Sequence, residues 1–360
     1  MHKNIKRTFV VAIFFFAQIL LGSTTTEQDF ESMRLSNENR DGYYTEIKEL
    51  INQSNDGWKA STNVAFNFQD SKINQMSSTQ VTVELLDSIT KFDVSQQYPE
   101  IPEDQQNDFD LSVLYPDCLV DETKDIGNCS SDWAMIPVLT IQDKICIKNG
   151  IKTSLSVQDA LECSNPSENG CISGSPIIAM NYLNINGIVT GGEFLSKEGC
   201  KNYKFYDIHH YHSIFSNISL NEERSTTCRN YCDNGSTSDY IEKIQVSNGY
   251  GLSGGVESIK KEIIKNGPVI AVISIFEDFM LYKDGVYTFK WGNKLGYLTV
   301  KIIGWGITTN GLKYWKVVVP WGETFGQKGI AHIFQGVDML NIESMVYSIN
   351  PDLNISTSTN

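Results

Sequence analysis

Lys124 to Pro137 reads KDIGNCSSDWAMIP and gathers the groups that could do chemistry. Asp132 offers a carboxylate, Ser130 and Ser131 offer hydroxyls, and Cys129 offers a sulfur. They stand just ahead of apolar residues at helical intervals, Trp133 to Ile147, where Ser or Asp is a natural cap. A hydroxyl or thiol nucleophile there needs a general base, most often histidine. The chain has five histidines: His2, the trio His209, His210 and His212, and His332. Two reactions follow from these residue types. Asp132 with His209 and His210 could hold zinc or run acid–base chemistry. Ser130 or Ser131 could attack a carbonyl, but no histidine lies near them in sequence.

The eight cysteines, Cys118, Cys129, Cys146, Cys163, Cys171, Cys200, Cys228 and Cys232, all fall within 115 residues. They form no C-x-x-C pair, so a structural zinc site is disfavoured and no metal or other cofactor is expected. Phe9 to Leu21 is an apolar run of 13 residues behind Lys3, Lys6 and Arg7. Spanning a bilayer takes ~20 residues, so residues 1–22 read as a secretory signal and no membrane span is expected. In that compartment an even cysteine count suggests four disulfides, and eight cysteines permit ~105 pairings. The sequons at Asn52, Asn217, Asn234 and Asn354 are glycosylation candidates. A further one at Asn128 adjoins Cys129. A net charge of -14 argues against nucleic acid as a partner.

The elements that would position these groups differ along the chain. Residues 23–100 carry 13 acids against 6 bases and no cysteine. Tyr43 to Asn52 predicts one short helix, and Tyr98 to Asp108 reads as an exposed linker. Helices are expected over Trp133–Ile147, Ser156–Glu162, Pro176–Asn184 and Val256–Lys265. Runs rich in Val, Ile, Tyr and Trp predict strands over Val269–Ser274, Tyr297–Ile303, Lys313–Val318 and Gly329–Phe334. A helical half followed by a β half predicts an α+β fold with a cleft between the halves. Residues 351–360 read as a polar tail.

Several separated motifs resemble the cathepsin B branch of the papain-family cysteine peptidases. They include DKICIKNG at 143–150, INGIVTGGE at 185–193, GCKNY at 199–203 and CRNYC at 228–232. KNGPV at 265–269, DFMLYKDGVY at 278–287 and IIGWG at 302–306 continue the match, and GWKASTNVAF at 57–66 is similar to the family's propeptides. The resemblance implies a two-domain papain-like fold over 101–350, with a helical left half at about 118–250 and a β-barrel-like right half at about 251–345. It makes 23–100 a propeptide-like region. It implies the bridges Cys118–Cys146, Cys129–Cys171, Cys163–Cys228 and Cys200–Cys232. His209 and His210 match the paired histidines of the family's occluding loop, which is the preferred reading of them over a zinc site.

The resemblance also marks the catalytic positions. Asp132 falls where the family has its nucleophilic cysteine and Leu298 where it has the base. Val319 takes the orienting position and Ile126 the oxyanion position. Ile172, Ser173, Gly174 and Met345 fall at substrate-groove positions. With none of the catalytic residues intact, the expectation is a secreted or lysosome-like homologue that is not an enzyme. It would act by binding a peptide, a protease inhibitor or another protein. The alternative is a residual or different hydrolase or metal-binding activity in the same cleft, using Asp132 and the His209/His210 loop.

Overall fold

A computed structural model describes residues 40–54, 57–62, 77, 79–119, 124–127, 129–164, 170–205 and 227–352. The expected signal, the His209–His212 loop, Asn217, Asn354 and most of the polar tail lie outside the described residues.

The helical half is built around α4. We number the helices in chain order: α1 (Arg40–Ser54), α2 (Val83–Ser88), α3 (Leu111–Leu114), α4 (Asp132–Asn149), α5 (Val157–Cys163), α6 (Pro176–Asn186), α7 (Ser238–Ile241) and α8 (Gly255–Asn266). In α4, Asp132 to Ile141 are buried without a break. A helix covered on every face belongs at the centre of a domain. It stops at Gly150, whose φ of 68° supplies a left-handed cap, and Gly150 N–H bonds back to the Cys146 carbonyl. α5 and α6 pack on it. Ser156 caps α5 by accepting from Asp159 N, and Ser175 caps α6 just ahead of Pro176. The bridges are Cys118–Cys146, Cys129–Cys171, Cys163–Cys228 and Cys200–Cys232, and no cysteine is free. All four tie the helical half.

The second half is one mixed sheet. Its strands are β1 (Trp58–Ala60), β2 (Lys91–Asp93), β3 (Phe109–Asp110), β4 (Tyr250–Ser253), β5 (Val269–Phe276), β6 (Tyr282–Tyr287), β7 (Lys294–Ile307), β8 (Lys313–Val318), β9 (Ile330–Phe334) and β10 (Val346–Ser348). They lie in the order β1-β6-β9-β8-β7-β5-β10-β4-β2, with β3 on β7. The β-barrel-like half expected from the resemblance is corrected here, because the sheet is open and does not close. Its two outer strands, β1 and β2, both come from residues before 100. They cover hydrogen-bonding edges that a barrel would have paired internally. β5 is buried along nearly its whole length, which accounts for its unbroken apolar sequence.

The N-terminal region is docked rather than separate. Tyr43, Tyr44, Ile47 and Ile51 of α1 are buried. Tyr43 Oη donates to Glu277 Oε2 at 3.1 Å and accepts from Trp291 Nε1 at 3.0 Å. Trp58 on β1 packs on Tyr287 and Tyr282 at 5.1 and 6.1 Å between ring centroids. The 98–108 stretch, expected as an exposed linker, contains a short 3-10 turn at Glu103–Gln105. It is anchored where Trp305 Nε1 donates to the Gln105 carbonyl at 3.0 Å. No helix among the described residues is long and apolar enough to cross a membrane.

Candidate active-site cleft

Asp132 opens α4 and is completely buried. It does not act as the cap. Ser131 holds the N-cap position, and its Oγ lies 2.5 Å from Tyr203 Oη. Asp132 turns to the sheet instead: Thr299 N on β7 donates to its Oδ2 at 2.8 Å. The Thr79 hydroxyl also donates to that oxygen. Thr299 Oγ1 stands 2.9 Å from Thr79 Oγ1. Oδ1 is buried with no hydrogen-bond partner among the described residues. Burial pushes the Asp132 pKa up to about 6, and the bonds from Thr299 and Thr79 pull against that rise.

Leu298 precedes Thr299 and pairs with Ile273 of β5, so α4 and β7 do bring the Asp132 and Leu298 positions together. Val319 and Ile126 meet on the other side. Ile126 N donates to the Pro320 carbonyl at 3.1 Å, and Trp321 N to the Val319 carbonyl at 2.8 Å. All of Leu298, Val319 and Ile126 are buried. Tyr203 Oη donates to the Ile126 carbonyl at 2.8 Å and so ties this loop to Ser131. Ser130 is buried as well, so neither serine presents a free hydroxyl to a substrate. His332 is the one histidine among the described residues. It stacks on Tyr314 at 4.1 Å, with its pKa lowered to about 4 by burial, away from Asp132 on β9.

The cleft is occupied by the chain's own Ser77, Thr79 and Gln80. Thr79 N donates to the Tyr297 carbonyl at 3.1 Å, Tyr297 N to the Ser77 carbonyl at 3.2 Å, and Gln80 N to the Gly174 carbonyl at 2.6 Å. Ser77, Thr79 and Gln80 thus bridge the helical wall at Gly174 and the sheet wall at Tyr297. Both walls depend on glycine. A Cβ on Gly174 would overlap the Trp133 ring, and one on Gly296 would overlap the Ser77 carbonyl. Trp133 is held in turn by its Nε1 donating to the Gly170 carbonyl at 3.0 Å. Of the other groove positions, Ser173 Oγ accepts from Gln80 Nε2 at 2.9 Å. Ile172 is 64% exposed beside it. Met345 is buried behind β5, its carbonyl accepting from Val272 N at 2.9 Å.

Thr79, Thr299 and Tyr297 were not singled out from the sequence. Thr79 sits in a polar stretch with no motif, and Thr299 reads as an ordinary β-branched strand residue. Of the sequons, the Asn52 carboxamide is folded onto the Ala60 main chain by two bonds of 2.9 Å, and Asn234 is exposed with Oδ1 accepting from Ser236 N.

Residues 106–350 match the family model described as papain family cysteine protease. A cathepsin B-like cysteine proteinase 1 from Haemonchus contortus is 33% identical over 234 residues, 64% of this chain and 68% of that protein. A cathepsin B-like cysteine proteinase 6 from Caenorhabditis elegans is 34% identical over 245 residues, 65% of this chain and 63% of that protein. The solved structure of procathepsin B S9 from Trypanosoma congolense superposes with a TM-score of 0.69 at 27% identity, covering 85% of this chain and 98% of that one. These relatives overturn the expectation that the chain is not an enzyme. Proteins one-third identical to it are cysteine proteinases, so its kind is that of a papain-family protease.

Proposed function

The chain belongs to the papain family of cysteine proteases, and from that premise we propose that its cleft grips an extended peptide. The main chain of the peptide lies between Gly174 and Tyr297, and Asp132 stands at the centre. The single observation that carries this reading is Ser77, Thr79 and Gln80, which already lie there with three main-chain hydrogen bonds. Main-chain pairing accepts many sequences, so the occupant in trans is a peptide, an inhibitor loop or an extended segment of another protein. Residues 23–100 act as a pro-region whose Ser77, Thr79 and Gln80 cover the cleft until displaced. Asp132 occupies the nucleophile position, Leu298 the base position, Val319 the orienting position and Ile126 the oxyanion position. Four disulfides and the N-terminal apolar run favour the secretory pathway, ending outside the cell or in a lysosome-like compartment.

A second reading keeps hydrolysis in the same cleft with a carboxylate in place of a thiol. It is favoured by the Asp132 pKa of about 6, which suits a general base working near neutral pH. In this reading Asp132 takes a proton from a water that attacks the held peptide bond. The experiment that tests both is a peptide-library assay with two readouts, binding and cleavage, on the chain before and after release of residues 1–100. Peptides that compete with the pro-region support the first reading. Cleavage that survives thiol alkylation and disappears in Asp132→Ala supports the second. Failure of any extended peptide to bind would sink both.

A further inference from the structure

The segment at 77–80 is held by a side chain as well as by its backbone. Thr79 is 4% exposed, and Asp132 and Thr299 not at all. The three close a ring. Thr79 Oγ1 donates to Asp132 Oδ2, Thr299 N donates to the same oxygen at 2.8 Å, and the two threonine hydroxyls lie 2.9 Å apart. Each hydroxyl has one hydrogen. With Thr79 giving its hydrogen to Asp132, the Thr299 hydroxyl is left to donate to Thr79 Oγ1 or to Asp132 itself. The inserted hydroxyl therefore supplies a hydrogen to Asp132 Oδ2 and can accept one from Thr299 in return. Asp132 Oδ1 is already buried without a partner among the described residues. A residue lacking a hydroxyl would leave Oδ2 without one of its two donors and remove Thr79 Oγ1 as a partner of the Thr299 hydroxyl. One residue further on, Gln80 Nε2 donates to Ser173 Oγ at 2.9 Å, a second polar mark on the same wall.

We propose that Asp132 and Thr299 form a specificity site. The cleft selects extended peptides that carry threonine or serine at the position Thr79 now fills, followed by a residue able to donate to Ser173. Sites that hydrogen-bond a ligand hydroxyl reject analogues lacking it far more strongly than apolar pockets reject a missing methylene. A phosphorylated hydroxyl is excluded, since it would set a dianion against a buried carboxylate. The inference rests on the reading that the cleft holds an extended peptide, and its test keeps the two apart.

The test follows hydrogen exchange at the Thr79, Gln80 and Tyr297 amides in the full-length chain, comparing wild type with Thr79→Ser and Thr79→Val. Wild type and Thr79→Ser should be protected, whereas Thr79→Val should exchange ~10-fold faster or more, the loss set by leaving a buried partner unmatched. Thr299→Val repeats the comparison from the opposite wall with the pro-region unaltered. A synthetic peptide of residues 74–86 is then added to the Thr79→Val chain, in its natural form and with valine at the Thr79 position. The threonine form should restore protection at Tyr297 at ~10-fold lower concentration. Rapid exchange at all three amides in the wild type would overturn the peptide-holding reading itself. Wild-type protection that is unchanged by Thr79→Val, or equal potency of the two peptides, would leave that reading standing and overturn the selection for a hydroxyl.

Discussion

Asp132 sets two forces against each other. Burial raises its pKa to about 6, whereas bonds from Thr299 and Thr79 favour the charged form. A carboxyl whose folded pKa lies above its ordinary 3.8 binds more protons folded than unfolded. Its contribution to stability is complete below that ordinary value and is lost as pH rises through about 6. A shift of two pKa units corresponds to about 3 kcal/mol. Urea unfolding of the wild type and Asp132→Asn at pH 4 and pH 7.5 should show the variant gaining on the wild type at the higher pH by up to about 3 kcal/mol. A gain at the lower pH would refute the assignment. Gly174 gives a second test at this scale. Its backbone lies on the Trp133 ring, so Gly174→Ala overpacks the helical wall. It should destabilise the fold by about 1–3 kcal/mol in the same assay.

The N-terminal region, proposed above as a pro-region, is secured by elements as well as by single residues. β1 adds to the edge of β6 in antiparallel register, with Trp58 buried over Tyr282 and Tyr287. Trp58→Ala removes an aromatic side chain at a cost of about 3–5 kcal/mol. Trp58 joins β1 to β6 through Tyr282, Tyr287 and the Thr288 carbonyl, so the loss should appear first as release of β1 from that edge. Limited proteolysis is expected to cut within 55–76 many times faster in the variant, while residues 250–348 stay intact. Simultaneous loss of both regions would show that the pro-region and the sheet unfold as one unit. Gly296→Ala probes the next contact along. Its Cβ meets the Ser77 carbonyl, so it should expel residues 77–80 from the cleft and leave β5 and β7 paired, a difference that amide exchange resolves.

At the scale of the whole molecule, the two halves are stabilised differently. The four bridges all lie between Cys118 and Cys232, whereas the sheet from β5 to β10 is held by apolar burial, its hydrogen-bonded ladder and the buried Lys301–Asp143 ion pair. Removing a native bridge costs about 2–5 kcal/mol. Mild reduction should therefore raise amide exchange across 129–205 before it changes 269–334. Uniform loosening of both halves would contradict this division. The cleft lies at the junction, with Gly174 and Trp133 on the bridged side and Tyr297 and Thr299 on the sheet side. Reduction should consequently release residues 77–80 early, detectable as exchange at the Gln80 amide.

Much of this was legible in the chain itself. The apolar periods of α4 and α8 and the unbroken run of β5 are local signals, and each of these elements lies within a few residues of its expected place. The bridge pairing and the family followed from ordered motifs. The residue types at 126, 132, 298 and 319 were equally plain, but concluding from them that the chain is not an enzyme went beyond what a residue type can decide. Two features needed the tertiary structure. The sheet is open, with its outer strands supplied by residues 58–60 and 91–93, short runs too weak to declare a pairing partner. The occupant of the cleft, Thr79, meets Asp132 across 53 residues and Thr299 across 220. Local pattern records which face of an element is apolar. It holds no record of which distant polar group will come to rest against a buried carboxylate, because that match is made only when the two halves and the pro-region close on one another.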